Sequence, residues 1–210
     1  IAIKNTQMKI NIFWFRRDLR LVDNAGLYHA LKSQNPVIPI FIFDINILDK
    51  LEDKSDRRVE FIHAALEEIQ NDLLVIGSSL EVYYGMPADI FKELLHKYKI
   101  DKVFANHDYE PYALERELEI VKLLKTKEAS LLTFKDQVLL EKGEVMKDDG
   151  KPYTVFTPYS RKWKFLLSEY HIKPYTTKKY FKNFYKQSPQ KIPSLISMDF
   201  IGTNKPFPSK

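Results

Sequence analysis

Ile10-Asn11-Ile12-Phe13-Trp14-Phe15-Arg16-Arg17-Asp18-Leu19-Arg20-Leu21-Val22-Asp23-Asn24 changes character halfway along. Ile10 to Phe15 is a short, almost continuous apolar run, the pattern of a strand buried on both faces in a parallel sheet covered by helices. The second half packs Arg16, Arg17, Asp18, Arg20 and Asp23 into eight residues. Charge is costly where a chain leaves a buried strand, unless it pairs or meets a ligand. Asn24 then opens a helix as a good N-cap. In an open α/β sheet, ligands sit beyond the carboxyl ends of the strands, where the strand order reverses. A first strand ending in two adjacent arginines therefore reads as one wall of an anion or polar-ligand site.

Outward from this segment, apolar runs alternate with helical periods. Strands are predicted over Lys9 to Phe15, Val37 to Phe43 with Asp44 at the end, Leu80 to Tyr84, Lys102 to Ala105 and Ser130 to Phe134. The first helix runs from Asn24 to Gln34 with Leu27, Ala30 and Leu31 inward, and Asn35-Pro36 ends it. A loop from Ile45 to Lys54 leads to Ser55 as N-cap of a long helix whose stripe is Val59, Ile62, Leu66, Ile69 and Leu73. Pro87 starts a third helix with Ile90, Phe91, Leu94 and Leu95 inward, and Pro111 a fourth that buries Leu114, Leu118 and Val121. A hairpin is expected around Lys142-Gly143, then a helix from Thr157 to Leu167. This alternation specifies an α/β fold: a Rossmann-like, doubly wound parallel five-stranded sheet flanked by helices.

The 210 residues include no cysteine, which removes disulfides, thiolate zinc sites and a cysteine nucleophile and suits a cytoplasmic protein. The longest apolar run, Val37 to Phe43, is too short to span a bilayer, so no membrane partner is expected. Met8 precedes the first strand and reads as a natural start, so residues 1–7, or 1–8 with Met8 counted, form a leader or cloning remnant. The net charge of +5 is uneven: His171 to Lys210 holds eight lysines and one acid, +7, leaving −2 on the rest. The basic pI belongs to the tail, and the body has no electrostatic footprint for nucleic acid. With five of the eleven prolines, residues 171–210 read as an extended basic interdomain connector following a domain at 9–170. Its interleaved lysines and rings from Lys173 to Lys186 fit a segment wrapped on a domain, rings down and amines in water.

No glycine lies between Trp14 and Asn24, and no Walker A sequence is present. Phosphate cradling by backbone amides is thereby disfavoured, and anion recognition would fall to arginine side chains. Asp18 and Asp23 can alternatively pair the arginines beside them and brace the turn. Arg57-Arg58 opens the long helix, where cations oppose the helix dipole; Asp44, Asp53, Asp56 or an anionic ligand would have to compensate. Asn106-His107-Asp108-Tyr109-Glu110-Pro111 follows a buried strand and combines acid, aromatic and helix start. No serine-histidine-acid set, paired-carboxylate set or diagnostic metal spacing can be placed, so neither catalytic nor metal residues are assigned. His29, His63 and His96 fall within helices and read as structural or solvated.

Taken together, Phe13 to Asn24 resembles the opening signature of the DNA photolyase and cryptochrome family. Asn106 through Tyr112 is similar to the family's second signature, and Tyr153 to Tyr159 with Trp163 to its third. Ile192-Pro193-Ser194-Leu195 with Asp199-Phe200 resembles the following linker. The resemblance implies the N-terminal antenna-binding half of a deoxyribodipyrimidine photolyase, a lyase that splits cyclobutane pyrimidine dimers in light. FAD, the tryptophan relay and the lesion pocket belong to a C-terminal helical half beyond this chain. That half would be the partner, damaged DNA would be met through it, and this half alone would not repair DNA. Carried over residue by residue, the antenna pocket comprises Arg17, Phe41, Asp44, Arg58 and Asp108, with Glu110 nearby. Folate antennae rely on an asparagine-glutamate pair where this chain has Pro111-Tyr112-Ala113. The resemblance therefore favours a flat tricyclic pigment of 8-hydroxydeazaflavin or flavin type, stacked on Phe41. A cryptochrome photoreceptor is the alternative within the family; a stand-alone nucleotide-binding α/β domain is the alternative outside it.

Overall fold

Side chains alternate across a strand, so a strand that is apolar at every position must bury both faces. The computed structural model describes residues 8–203 and 205–207. Of the leader expected at 1–8, all but Met8 lies outside the described residues, as do connector positions 204 and 208–210. Strand β1 (Lys9–Phe15) sends Phe13 and Phe15 into one core and Ile10, Ile12 and Trp14 into another. Strand β2 (Val37–Asp44) divides likewise, with Phe41 and Phe43 on the first side and Ile38, Ile40 and Ile42 on the second. Helices α1 (Ala25–Lys32) and α3 (Arg57–Val75) close the first core with Leu27, Leu31, Leu66 and Leu73. Helices α4 (Pro87–Lys97) and α5 (Pro111–Lys125) close the second with Phe91, Leu94, Ile120 and Leu124.

With β3 (Glu81–Gly85), β4 (Lys99–Asn106) and β5 (Ser130–Phe134), the sheet has five parallel strands in the order β3-β2-β1-β4-β5. The order reverses between β1 and β4, where Phe13 pairs with Phe104 in register. This is the doubly wound sheet expected from the alternation, and its carboxyl ends gather the β1, β2 and β4 loops on one edge.

Several local expectations are corrected. The loop at 45–54 begins with a short helix, α2 (Ile45–Leu48), because the Asp44 carboxylate accepts from Asn46 N at 3.0 Å and caps it. Asp56, rather than Ser55, caps α3 by accepting from Arg58 N at 2.8 Å; Ser55 is held by the Asp53 carboxylate. The tight antiparallel pairing is Met146 with Pro152 around a turn at Lys147 to Gly150, later than Lys142-Gly143. In α5 the buried residues are Ala113, Ile120 and Leu124, while Leu114 and Leu118 are exposed. The helix is rotated from the expected face because Arg116 and Glu117 turn inward to meet Asp44 and Arg16.

The α6 helix (Phe156–Leu166) buries none of its residues, and α7 (Glu169–Ile172) follows it. From residue 177 the chain returns to the first core. Phe184 bridges to Val37, and Phe184, Met198 and Phe200 join the buried cluster. Gln70 of α3 ties the segment down, donating to the Gln190 carbonyl at 2.7 Å while accepting from Leu80 N at 2.7 Å. Lys178, Lys179, Lys182 and Lys186 stay in solvent, whereas Tyr180 and Phe181 are half-buried. Among the described residues no helix is long and apolar enough to cross a membrane.

Candidate functional site

The loops after β1 and β4 are joined by a buried polar clasp. Asp18 accepts from Arg16 N at 3.0 Å and from Asn24 Nδ2 at 2.8 Å, and it also receives Asn106 Nδ2. Asn24 caps α1 by accepting from Leu27 N at 3.0 Å, and the same oxygen accepts from Asn106 Nδ2 at 2.9 Å. Asn106 Oδ1 accepts from Gly26 N at 2.8 Å; a Cβ at Gly26 would stand 2.7 Å from that oxygen and 3.1 Å from the Ala105 carbonyl. Only glycine permits this approach. Asp18 therefore serves backbone and amide donors, not a neighbouring guanidinium, and Asp23 offers its carbonyl to Arg20 at 2.7 Å.

The clasp fills the crevice at the strand reversal and sets Arg16 and Arg17 beside the β4 loop. Next to it opens a cavity of about 350 Å³. Phe41 and Phe43 of β2, Leu48 and Leu51 after it, and Val59 and Ile62 of α3 make its apolar side. Arg17, Phe41, Asp44, Arg58, Asp108 and Glu110, the six residues expected at the site, all line this one cavity. Asp44 and Asp108 are buried, whereas Arg17, Glu110 and Arg58 stand at an exposed rim.

Each charge has a partner. Arg17 Nε lies 3.4 Å from Asp108 Oδ2, and its other end pairs with Glu110. Partial burial works against the Arg17 charge, but these two carboxylates outweigh it and hold its pKa above the ordinary arginine value. Asp44 accepts from Tyr112 OH at 2.7 Å and from Arg116 Nη1 at 3.0 Å. Burial, reinforced by the bond to Asp44, raises the Tyr112 phenol, which stays protonated as a donor. Arg58 Nε lies 3.0 Å and 3.1 Å from the two Asp56 oxygens. The cation at the start of α3 is thus offset by the residue that caps the helix.

Asp56 is accordingly held below the ordinary carboxylate value of 3.8, first by its bond to Arg58. A depressed carboxylate contributes stability that is present above its unfolded pKa and lost as pH falls through the folded one. Asp56→Ala is expected to cost about 1 kcal/mol through the lost cap. Asp56→Ser should keep the cap but lose the acid-dependent part, a small effect at this exposed pair. Thermal melts at pH 7 and pH 3 check both, and equal pH dependence in Asp56→Ser and wild type would contradict the assignment.

Trp14, Arg16, Tyr112 and Arg116 also line the cavity and were not among the expected site residues. Arg16 and Arg116 lie over the Trp14 ring, at 4.3 Å and 5.0 Å from its centroid. The signal for Arg116 was present: it lies on the stripe Ala113, Arg116, Ile120, Leu124 at steps of three and four. A wider depression of about 560 Å³ lies between Arg20, His29, Lys135 and His171. Its buried carboxylate, Asp136, is already taken by Arg20 at 2.8 Å and Ala25 N at 2.8 Å.

Comparison with known proteins bears on this edge of the sheet. The profile of the DNA photolyase family matches residues 11–180. A deoxyribodipyrimidine photo-lyase from Synechococcus is 32% identical over 152 residues, 72% of this chain and 31% of the relative. An archaeal photolyase from Sulfolobus tokodaii, solved with two FAD molecules, superposes with a TM-score of 0.58 at 32% identity, covering 64% of this chain and 31% of that one. A class III photolyase from Agrobacterium tumefaciens shares the fold with a TM-score of 0.77 over 97% of this chain and 41% of its own, at 23% identity. The chain spans about a third of the length of the curated photolyases it matches. The match runs through both loops of the Asp18–Asn24–Asn106 clasp and the cavity they frame, and the chain belongs to the DNA photolyase family.

Proposed function

We propose that this chain is the N-terminal antenna domain of a light-driven deoxyribodipyrimidine photolyase, and that the cavity beside Asp44 and Asp108 holds a flat pigment of flavin or 8-hydroxydeazaflavin type. The observation that carries the reading is the convergence of Arg17, Phe41, Asp44, Arg58, Asp108 and Glu110 on one cavity. Chemically the walls suit such a ring system: an apolar slot on one side, buried acid and guanidinium groups at the inner end, and a charged rim. The Sulfolobus relative, solved with two FAD molecules and with the implication of a novel light-harvesting cofactor, supports a flavin-type pigment.

A pigment held by these residues would supply light absorption and excitation transfer to a flavin in the helical half of the parent protein. The residues of this chain bind the ring, orient it and exclude water; none needs to transfer a proton. Phe41 packs edge-on to Phe43 at 5.0 Å, which fixes the face offered to the ring. Residues 9–170 form the pigment domain in this reading, and the segment from 171 onward connects to the FAD-bearing half, through which damaged DNA is met.

The test is a titration of the chain with riboflavin and 8-hydroxy-5-deazariboflavin, read by quenching of Trp14 in a Trp163→Phe background. Saturable quenching is expected, weakened several-fold by Phe41→Leu as the aromatic contact is lost. No saturable binding of either compound would refute the pigment site. For the whole protein, repair of pyrimidine dimers under blue light above a dark control is expected. Its absence would favour a photoreceptor, and saturable ATP binding at the cavity would favour a nucleotide-binding domain.

A further inference from the structure

We infer that Arg116 is the specificity-determining residue of this cavity and that, together with Asp44, it reads the cyclic imide edge of the ring, so that the pigment enters with its pyrimidinedione inward and its side chain at the rim. This rests on the antenna reading above and deepens it. Arg116 sits on the buried stripe of α5 between Ala113 and Ile120, where a leucine or isoleucine would continue the core at no desolvation cost. Its side chain is 9% exposed. Nη1 donates to Asp44 Oδ2 at 3.0 Å, but Nε is buried without a hydrogen-bond partner among the described residues. The guanidinium otherwise meets the Trp14 and Tyr112 rings, 5.0 Å and 5.5 Å from their centroids.

Neutralising Asp44 does not account for this arrangement. Asp44 already accepts from Tyr112 OH and Asn46 N, and a buried ion pair is commonly no more stable than apolar residues of the same volume. A guanidinium donor with unused capacity beside a carboxylate acceptor presents the pattern donor next to acceptor. An imide edge, where an N–H is flanked by carbonyls, is its complement. A phosphate is not, because the Asp44 carboxylate would repel it. A phosphate-bearing side chain is better placed at the exposed rim, beside Arg17 and Arg58.

The test uses the 210-residue chain and three probes: lumiflavin, N3-methyl-lumiflavin and FMN. Wild type is expected to bind N3-methyl-lumiflavin at least about tenfold more weakly than lumiflavin, since methylation removes the N–H that Asp44 accepts. Arg116→Lys keeps a cation to pair Asp44 but loses the planar fork. It is expected to melt within a few degrees of wild type, to bind lumiflavin roughly ten- to a hundredfold more weakly, and to keep the discrimination against the methylated probe. Three results would overturn the inference while leaving the pigment site standing: equal wild-type binding of the two lumiflavins, unchanged lumiflavin binding by Arg116→Lys, or loss confined to FMN. Failure of wild type to bind any flavin or deazaflavin would overturn both. The comparison of the two lumiflavins needs no variant, so a misfolded Arg116→Lys would not protect the proposal.

Discussion

Asp44→Ala is expected to lower the thermal midpoint by roughly 10 °C and to abolish pigment binding. Asp44 is almost fully buried at the end of β2 and does three things at once. It caps α2 through Asn46 N, accepts the Tyr112 hydroxyl and pairs with Arg116. Alanine leaves Arg116 as a buried guanidinium without its only hydrogen-bond partner among the described residues. Removing one member of a buried pair costs about 3–5 kcal/mol, far more than the intact pair is worth. A domain of this length loses about 2–4 °C per kcal/mol, which gives the midpoint shift. Tyr112 keeps one partner, since Asn46 Nδ2 donates to its oxygen at 3.0 Å, so the loss should concentrate on Arg116. The double variant Asp44→Ala/Arg116→Met should therefore recover much of the midpoint while still binding no pigment. Circular-dichroism melts of both singles and the double decide it. An Asp44→Ala protein melting within 2 °C of wild type would mean that water reaches Arg116 freely, in disagreement with its burial.

The fold was legible because it is written in short-range pattern. The apolar run Ile10 to Phe15 needs two covered faces, and strands alternating with helices give the doubly wound sheet that the structure contains. That strand-to-helix loops share one edge followed from the same logic, whereas the choice of Arg17, Asp44, Arg58 and Asp108 among the loop residues came from the family resemblance. What escaped the sequence reading depends on bonds between distant residues. The face of α5 was misassigned because Leu114 and Leu118 look like core while Arg116 and Glu117 look like surface. Their partners, Asp44 at the end of β2 and Arg16 just after β1, are far away in the chain, so the period could place Arg116 on the buried stripe but could not say what would pair it there. The α2 turn was hidden for a different reason: a short helix has no period to detect, and only its cap, Asp44, announced it. Arg57-Arg58 was partly legible. Asp56 stood among the carboxylates able to offset these cations, and it pairs Arg58; what was missed is that Asp56, not Ser55, also caps the helix.

Asp18→Ala is expected to destabilise the domain by about 2–3 kcal/mol and to weaken pigment binding beyond what stability alone explains. Asp18 spans 88 positions to Asn106 and only 6 to Asn24, so it is the knot between the β1 and β4 loops. Its oxygens take the Arg16 N–H and two carboxamide N–H groups in a site closed to solvent. Each buried donor left without an acceptor costs about 1–3 kcal/mol; Arg16 N loses its one acceptor outright, and both carboxamides lose their shortest bond. Asn106 would retain Asn24 Oδ1 through the 2.9 Å bond, and Asn24 Nδ2 the carbonyls of Asp18 and Arg20 at 3.3 Å and 3.2 Å, which limits the total. Asp18→Asn is the sharper variant. It preserves shape and one acceptor, but it turns an amide N–H toward donors, whichever way the group is flipped. It should therefore lose most of the stability that alanine loses, although it differs from wild type by one atom type. Binding should follow, because Arg16 and Arg17 leave β1 through this turn and meet Asn106, Asp108 and Glu110 across it. Loosening the knot separates the rim arginine from the acids that fix it. The measurement is a pair of midpoints with flavin affinities taken well below both. An Asp18→Asn protein with wild-type midpoint and affinity would show that the two loops are held together by apolar packing alone, with the clasp a passenger.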